Sequence, residues 1–182
     1  MTVINIIGNP TDKALEELIL TRLSQSYRVT YIKNKSLVQT GSGYDIVIAD
    51  AAELKSLYIP ECIVVMKNDG PVPDIPLPEK SIIIVNAENT RQLIELQKTH
   101  HDVIVCGAGE RDTVSCSSYG PDGDSVVISL NREITAFSGR KIEPLEIPLQ
   151  LDKIPKDMYY PMAFTALRLI LDDFNSDLGK LI

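Results

Sequence analysis

The sequence contains no tryptophan, and only three of its 182 residues are cysteine. Cys62, Cys106 and Cys116 form an odd set without a CxxC spacing, which argues against a disulfide framework. Cys62 and Cys106 lie in apolar runs, where a reduced cysteine behaves as a small hydrophobic residue. This usage is typical of a reducing compartment, so we expect a cytoplasmic protein.

Histidine is scarce as well, since His100 and His101 are the only two. They are adjacent at the end of a predicted helix, so their side chains point in different directions and do not indicate a metal site. A protonated histidine is favoured there by the helix dipole, without any catalytic role. A histidine–cysteine dyad with Cys106 or Cys116 is the less favoured alternative, because nothing in the sequence fixes its geometry. We therefore predict no catalytic residue, no metal and no cofactor.

Long apolar runs and dense basic runs are also absent. No segment approaches the roughly 20 apolar residues that span a bilayer, and Met1 leads directly into a strand-like segment. The formal net charge of −7 would repel a phosphate backbone. The sequence therefore predicts neither a membrane partner nor a nucleic-acid partner.

The first 107 residues alternate between short apolar strands and helices. This pattern favours a mostly parallel, Rossmann-like sheet with helices on both faces. Asn9 and Pro10 are typical of a helix start, and residues 33–43 are predicted to be a loop. The predicted strands are residues 3–7, 27–32, 45–49, 61–66, 81–85 and 103–106, and the predicted helices are residues 10–23, 51–57 and 90–99, the last with Leu93, Ile94 and Leu96 facing inward.

After Gly107 the connections become too short for crossovers, which predicts an antiparallel β-meander and a closing C-terminal helix. The predicted strands are residues 113–118, 125–130, 134–137 and 142–151, and the helix covers residues 157–175. Pro144 and Pro148 favour an edge position for the last strand. We expect a single α/β domain over residues 1–182, made of a wound part (1–107), an antiparallel extension (108–156) and a closing helix and tail (157–182).

Two loops that follow predicted strands are candidate ligand sites. Gly8-Asn9-Pro10-Thr11 has the position of a phosphate-binding turn, but it has one glycine and Pro10 lacks a backbone N–H. A capped helix start is the favoured interpretation of this segment.

The second loop begins with Gly107-Ala108-Gly109, which is similar to the start of a dinucleotide fingerprint. Asp112 stands where the third glycine would be, and a strand follows instead of a helix. A tight turn explains the two glycines equally well. Arg111 would hold a carboxylate or phosphate if it lay in a cleft, or form a weak surface ion pair with Asp112 in an exposed turn. The candidate ligand-binding residues are Asn9, Asn86, Gly107, Gly109, Arg111 and Asp112, and the expected ligand is small and anionic.

Three segments resemble the central domain of Mur ligases, which add amino acids to peptidoglycan precursors using ATP. They are residues 85–89 (VNAEN), residues 103–107 (VIVCG) and residues 159–166 (YYPMAFTA). The resemblance implies a bacterial protein with a Mur-ligase-like scaffold. The family's phosphate loop and its C-terminal domain are missing, and Tyr159, Tyr160 and Ala163 replace its helix His and Asn residues. The chain also resembles proteins of Firmicutes-like bacteria, which implies no function.

These observations favour a non-catalytic binding or interaction domain, linked to cell-wall precursor metabolism and forming a homodimer. A ligase without a phosphate loop has no means of holding ATP and Mg²⁺ for phosphoryl transfer. The alternative is an enzyme that acts on a small anionic substrate in a crevice at the carboxyl ends of the strands. In that alternative, Asn9, Asn86, Arg111 and Asp112 line the crevice.

Overall fold

Runs of β-branched residues form the central strands of the fold, because such side chains pack well when both faces of a sheet are covered. The computed structural model describes residues 1–120, 125–150 and 155–173. The chain divides into two compact units, Met1–Val103 and Ile104–Ile182, and each is described by itself. The predicted α/β fold with a mostly parallel sheet is confirmed, whereas the single-domain organisation stays a prediction.

The first unit contains six strands and two helices and reaches the start of a seventh strand, β7. The strands are β1 (Thr2–Ile7), β2 (Tyr27–Lys33), β3 (Ser36–Thr40), β4 (Tyr44–Ala51), β5 (Ile63–Met66) and β6 (Ile82–Asn86), and the helices are α1 (Ala14–Leu23) and α2 (Thr90–Leu96).

The sheet of this unit has the order β6-β5-β1-β4-β2-β3. All neighbours are parallel except β3, which pairs antiparallel with β2. The central strand β1 pairs through Ile4 with Ile48 of β4 and with Ile63 of β5. Strands β5 and β6 are buried along their whole length. The carboxyl ends of β1, β4, β5 and β6 therefore meet at one edge of the sheet.

Two secondary-structure predictions for this unit are wrong. Residues 33–43 are not a plain loop, because β3 pairs with β2 across a turn in which Asn34 has a φ of +53°. All five residues of β3 are exposed, so the strand depends on backbone pairing and carries no hydrophobic pattern. Residues 51–57 do not form a helix, and none of them is buried. Without an apolar stripe a short helix gains no packing energy.

The start of helix α1 also differs from the prediction. Helix α1 begins at Ala14, and its cap position is Lys13, which makes no side-chain capping hydrogen bond. Asn9 does not cap it, because its Oδ1 accepts from the N–H of Thr11 at 2.9 Å. This local side-chain-to-backbone bond competes with helix formation, so the chain turns before the helix starts.

Helix α2 begins at Thr90 as predicted and ends at Leu96, three residues earlier than expected. Asn89 caps it, accepting from the N–H of Gln92 at 3.1 Å. Leu96 is buried as predicted, but Ile94 is 53% exposed, and Gln92 is buried instead. A seven-residue helix makes too few turns for the apolar stripe to fix which face packs inward.

The second unit contains the rest of β7 (Asp102–Gly107), together with β8 (Val114–Tyr119), β9 (Ser125–Leu130), β10 (Ile134–Thr135), β11 (Lys141–Ile142), β12 (Leu145–Gln150) and helix α3 (Tyr159–Ile170). Its sheet order is β7-β8-β9-β12, and β10 and β11 form a separate hairpin. Strands β8, β9 and β12 are antiparallel, as expected for the predicted extension. The first pairing differs, since β7 and β8 are parallel through Cys106 with Val114 and Gly107 with Ser115.

Helix α3 is almost completely buried, which agrees with the broad apolar face of the predicted closing helix. It covers residues 159–170 and not the predicted 157–175, because residues 171–173 are described and are not helical, whereas residues 174–175 and Leu151 lie outside the described residues. Pro148 lies in β12 opposite Val127, and within the described strands of this unit β12 pairs only with β9. In the described part of the chain, no helix is long and apolar enough to cross a membrane.

Candidate functional site

Polar side chains gather at the carboxyl ends of β1, β4, β5 and β6, the edge where open α/β sheets bind ligands. Lys67 follows β5 directly, and its ammonium contacts both carboxylate oxygens of Asp50, at 3.2 and 3.1 Å. Lys33 Nζ lies 2.9 Å from Asp50 Oδ2 and also contacts Glu16. The hydroxyl of Tyr31 donates to Asp50 Oδ2 at 3.3 Å. These five residues form an ion cluster with two positive and two negative groups.

The two acids of the ion cluster are shifted in opposite directions. Burial raises the pKa of Glu16, and its contact with Asp50 raises it further. Burial also raises the pKa of Asp50, but hydrogen bonds with Glu16, Lys33 and Lys67 outweigh this and lower it overall. Burial, together with the negative charge of Asp50, raises the pKa of the Tyr31 phenol. Glu16 is therefore the acid in the cluster that takes up a proton first.

The loop between β1 and α1 presents carbonyl groups, not amides, to the interior. Lys67 Nζ donates to the carbonyl oxygens of Asn9 at 3.2 Å and of Asp12 at 2.8 Å. A phosphate-binding loop does the reverse, since its backbone N–H groups converge on an anion. The buried ammonium of Lys67 occupies the inner side of this loop.

Five backbone amides of the same loop have acceptors within the protein. The N–H of Gly8 donates to Ala51 O, that of Thr11 to Asn9 Oδ1, and that of Asp12 to Asn9 O. The N–H of Asn9 donates to Asp69 Oδ1 and that of Ala14 to Asp12 Oδ1, while Pro10 has none. An anion that bound to any of these five amides would have to displace the internal hydrogen bond that it makes.

Close backbone approach fixes the ends of β1 and β5. Gly8 has a φ of +144°, and a Cβ added there would lie 2.5 Å from Cβ of Lys67. A Cβ added at Gly70 would lie 2.5 Å from the carbonyl oxygen of Ile7. Both distances are shorter than van der Waals contact, so neither position has room for a side chain in the present backbone.

Four amide side chains continue this edge toward α2. Asn86, at the end of β6, donates to Asn68 Oδ1 at 2.6 Å, and its own Oδ1 accepts from the N–H of Glu88. Asn89 donates to the carbonyl of Asn68. Gln92 Nε2 donates to the carbonyl oxygens of Lys67 at 2.9 Å and of Gly70 at 2.7 Å. The loop after β5 is therefore tied to β6 and α2 by side-chain hydrogen bonds.

A cavity of about 300 Å³ lies beside this network. It is lined by Asp69, Gly70, Pro71 and Val72 of the loop after β5, and by Asn89, Arg91, Gln92 and Glu95 of the α2 segment. None of these residues was a predicted site residue, and the sequence gives little signal for them. Residues 68–71 are typical of a turn, and Gln92 is a polar residue in a predicted helix, where it would be expected to be exposed.

The six predicted site residues fall into two groups. In the first unit, Asn9 and Asn86 both reach the loop after β5, Asn9 through Asp69 and Asn86 through Asn68. Both belong to the edge that carries the ion cluster and the cavity, and their side chains are held by hydrogen bonds within the protein. Whether these residues bind a ligand stays a prediction.

The other four residues lie at the end of β7, which closes with Gly107, and in the turn between β7 and β8. The N–H of Gly109 donates to Asp112 Oδ2 at 2.8 Å, and the N–H of Asp112 donates to the carbonyl of Gly109 at 3.0 Å. Asn131 donates to the carbonyl of Asp112 at 3.0 Å. Arg111 is exposed, and its guanidinium makes no hydrogen bond or ion pair with the described residues. Asp112 therefore closes the turn, while Arg111 is exposed and has no partner in the described part of the chain.

The histidines and cysteines form no assembled site in the part of the chain that the structure describes. Cys62, Cys106 and Cys116 are free thiols, and burial raises the pKa of Cys62 and of Cys106. His100 and His101 line a separate cavity of about 630 Å³ together with the loop residues Ile75, Pro76, Leu77 and Glu79. Within the described residues, no group of three or more histidine, cysteine, aspartate or glutamate side chains is placed to bind a metal.

The comparisons with known proteins give a class of fold. No family model matches the chain, and no curated protein matches it. Among solved structures, it is similar to a murein peptide ligase from Psychrobacter arcticus, with a TM-score of 0.58 and 11% sequence identity. The likeness covers 98% of this chain and 45% of that ligase. At this identity the likeness shows the fold alone, and the expected resemblance to Mur ligases holds at that level.

Proposed function

We propose that this chain is a non-catalytic binding or interaction domain on a Mur-ligase-like scaffold, with a role in cell-wall precursor metabolism. The observation that carries the proposal is the loop between β1 and α1. Its inner carbonyls face the ammonium of Lys67, and the N–H groups of Gly8, Asn9, Thr11, Asp12 and Ala14 have internal acceptors. Such a loop does not provide the converging amides that hold nucleotide phosphates.

The likeness to a murein peptide ligase supports the choice of ligands to be tested. Because the chain spans 45% of that ligase, the activity of the whole ligase is not carried over to it. The proposed function is therefore the binding of a cell-wall peptide or its precursor, without ATP-dependent bond formation. A cytoplasmic location, a homodimer and the lack of a nucleic-acid partner stay predictions from the sequence.

The experiment is a thermal-shift screen followed by a turnover assay. A ligand that binds only the native state raises the melting temperature, so peptidoglycan peptides should raise it and ATP with Mg²⁺ should not. The turnover assay mixes the protein with ATP, Mg²⁺ and a murein tripeptide and measures phosphate release. Release above the blank that is lost on Arg111→Ala substitution would overturn the proposal.

The second candidate is an enzyme acting on a small anionic substrate. The guanidinium of Arg111 favours it, because it is exposed, has no partner among the residues that the structure describes, and such a group binds a carboxylate in bidentate fashion. The engagement of Asn9 and Asn86 in internal hydrogen bonds counts against it. Conversion of a carboxylate substrate that Arg111→Ala abolishes and Arg132→Ala leaves intact would favour this candidate over the first.

A further inference from the structure

The loop after β5 and the α2 segment enclose a small space in the first unit, at the edge of the sheet where the carboxyl ends of β1, β4, β5 and β6 meet. Its volume of about 300 Å³ is at the lower limit of the range for small-molecule sites. A space of this size suits an amino acid or a dipeptide. The loop wall is held in place by Gln92, which donates to the carbonyls of Lys67 and Gly70.

Gln92 also supplies an unused acceptor. The residue is 2% exposed, and its Oε1 is buried without a hydrogen-bond partner among the described residues. A buried carbonyl oxygen without a donor costs on the order of 1–3 kcal/mol, so such an atom calls for an explanation. The side chain lines the cavity, but Oε1 itself is closed to solvent, so a ligand N–H group would provide the missing donor once the cavity wall shifts to expose this oxygen.

The charged groups around the cavity are of both signs. Asp69 and Glu95 carry negative charge, and Arg91 carries positive charge. Arg91 is 87% exposed at its side chain, and its Nε lies 3.5 Å from Glu95 Oε1, which is a weak surface pair. A ligand carboxylate would compete effectively for this guanidinium, because Arg–carboxylate pairs are stronger when bidentate.

The geometry points to a site for a zwitterionic amino acid or the end of a short peptide in this cavity. The ammonium group of the ligand is held by Asp69 and by Oε1 of Gln92, and its carboxylate by Arg91. This inference rests on the proposed binding function and names the class of ligand and the residues that select it. It differs from the expectation of a purely anionic ligand, because the acidic side chains of the cavity outnumber the basic one.

The test uses the full chain labelled with ¹⁵N and three probes of similar size. L-alanyl-L-alanine carries both charges, L-alaninamide only the positive charge, and N-acetyl-L-alanine only the negative charge. In amide chemical-shift titrations, the dipeptide should perturb the resonances of residues 69–72 and 89–95 and bind at least about tenfold more tightly than either single-charge probe.

Two substitutions separate the two ends of the ligand. Arg91→Ala should weaken binding of the dipeptide by about tenfold while leaving L-alaninamide unaffected. Asp69→Asn keeps the oxygen that accepts from the N–H of Asn9. It should weaken the binding of both probes that carry an ammonium group, L-alanyl-L-alanine and L-alaninamide. The matched control is Lys98→Ala, which removes an exposed positive charge just after α2 that does not line the cavity.

Three results would overturn the inference. They are no perturbation by the dipeptide at its solubility limit, perturbation centred outside residues 69–72 and 89–95, and equal binding by the single-charge probes. None of these results affects the proposed function, which is overturned by ATP turnover. Conversely, ATP turnover together with a zwitterion bound in the cavity would remove the non-catalytic proposal and leave this site intact.

Discussion

Lys67 and Asp50 form an ion pair in which neither side chain is exposed to solvent, with 3.1 Å between Nζ and Oδ2. Asp50 belongs to β4 and Lys67 follows β5, and these two strands flank β1. The pair therefore bridges the carboxyl end of the central strand. Because Lys67 also binds the carbonyls of Asn9 and Asp12, it holds the loop that would otherwise be the phosphate site.

Removing the ammonium of Lys67 should be strongly destabilising. Lys67→Met leaves the carboxylate of Asp50 and two loop carbonyls without their buried partner, and we expect a loss of about 3–5 kcal/mol in the free energy of unfolding. Urea unfolding monitored by circular dichroism measures this loss of stability. Lys55→Met is the matched control, because Lys55 is exposed and its change should stay within about 0.5 kcal/mol. A loss below about 1 kcal/mol for Lys67→Met would contradict the prediction.

Replacing Asp50 should change how stability depends on pH. The pKa of Asp50 is lowered from its ordinary value of 3.8 in the folded state. Such a group stabilises the fold above its unfolded pKa, and this stabilisation is lost as the pH falls through the folded pKa. The stability difference between wild type and Asp50→Asn should therefore be larger at about pH 7 than at about pH 3. Urea unfolding at a series of pH values tests this.

Replacing Glu16 should have the opposite dependence on pH. Its pKa is raised above the ordinary value of 4.5. Its contribution is therefore fully present below the unfolded pKa and is lost as the pH rises through the folded pKa. The stability of Glu16→Gln relative to wild type should rise as the pH increases from about 4. If the same series gave Asp50→Asn and Glu16→Gln trends of equal sign, the assignment of the two shifts would be wrong.

Adding a methyl group at Gly8 should lower the free energy of unfolding more than adding one at another glycine with positive φ. Gly8→Ala combines an unfavourable backbone conformation with a 2.5 Å contact to Cβ of Lys67. Gly139→Ala also places a methyl group at a positive φ, +84°, but nothing lies within 4 Å of the new methyl group. We expect roughly 1 kcal/mol for Gly139→Ala and at least about twice that for Gly8→Ala. Thermal and urea unfolding of both variants make the comparison, and equal costs would show that the contact relaxes freely.

Cys116 should be the one thiol that reacts quickly in the folded protein. Cys62 and Cys106 are buried, and burial raises the pKa of both thiols, so little reactive thiolate forms. Brief treatment with iodoacetamide followed by mass spectrometry should show one added group, located at Cys116. Cys116→Ser should abolish this fast reaction, and unfolding in urea should expose the remaining two thiols. Fast labelling of Cys106 in the folded protein would contradict the packing around β7.

The class of fold and the positions of its main strands could be predicted from the amino-acid sequence alone. Apolar runs such as Ile82–Asn86 can be accommodated only where both faces of a sheet are covered, so their burial was predictable from composition. The change from long to short connections near Gly107 likewise predicted the antiparallel extension. Strand β3 was missed because its exposed residues carry no hydrophobic period, and its pairing with β2 is made through the backbone.

The residues that meet at the candidate site became apparent only from the tertiary structure. Glu16, Lys33, Asp50 and Lys67 are far apart in the sequence, and each alone resembles an ordinary surface charge. They meet because the sheet order places β1 between β4 and β5, and strand order is not encoded in local periodicity. Gln92 is buried for the same reason, since its partners are carbonyls of the loop after β5. The sequence indicated that the loop after β1 is not a phosphate-binding loop. The fold places the ammonium of Lys67 against the inner carbonyls of that loop.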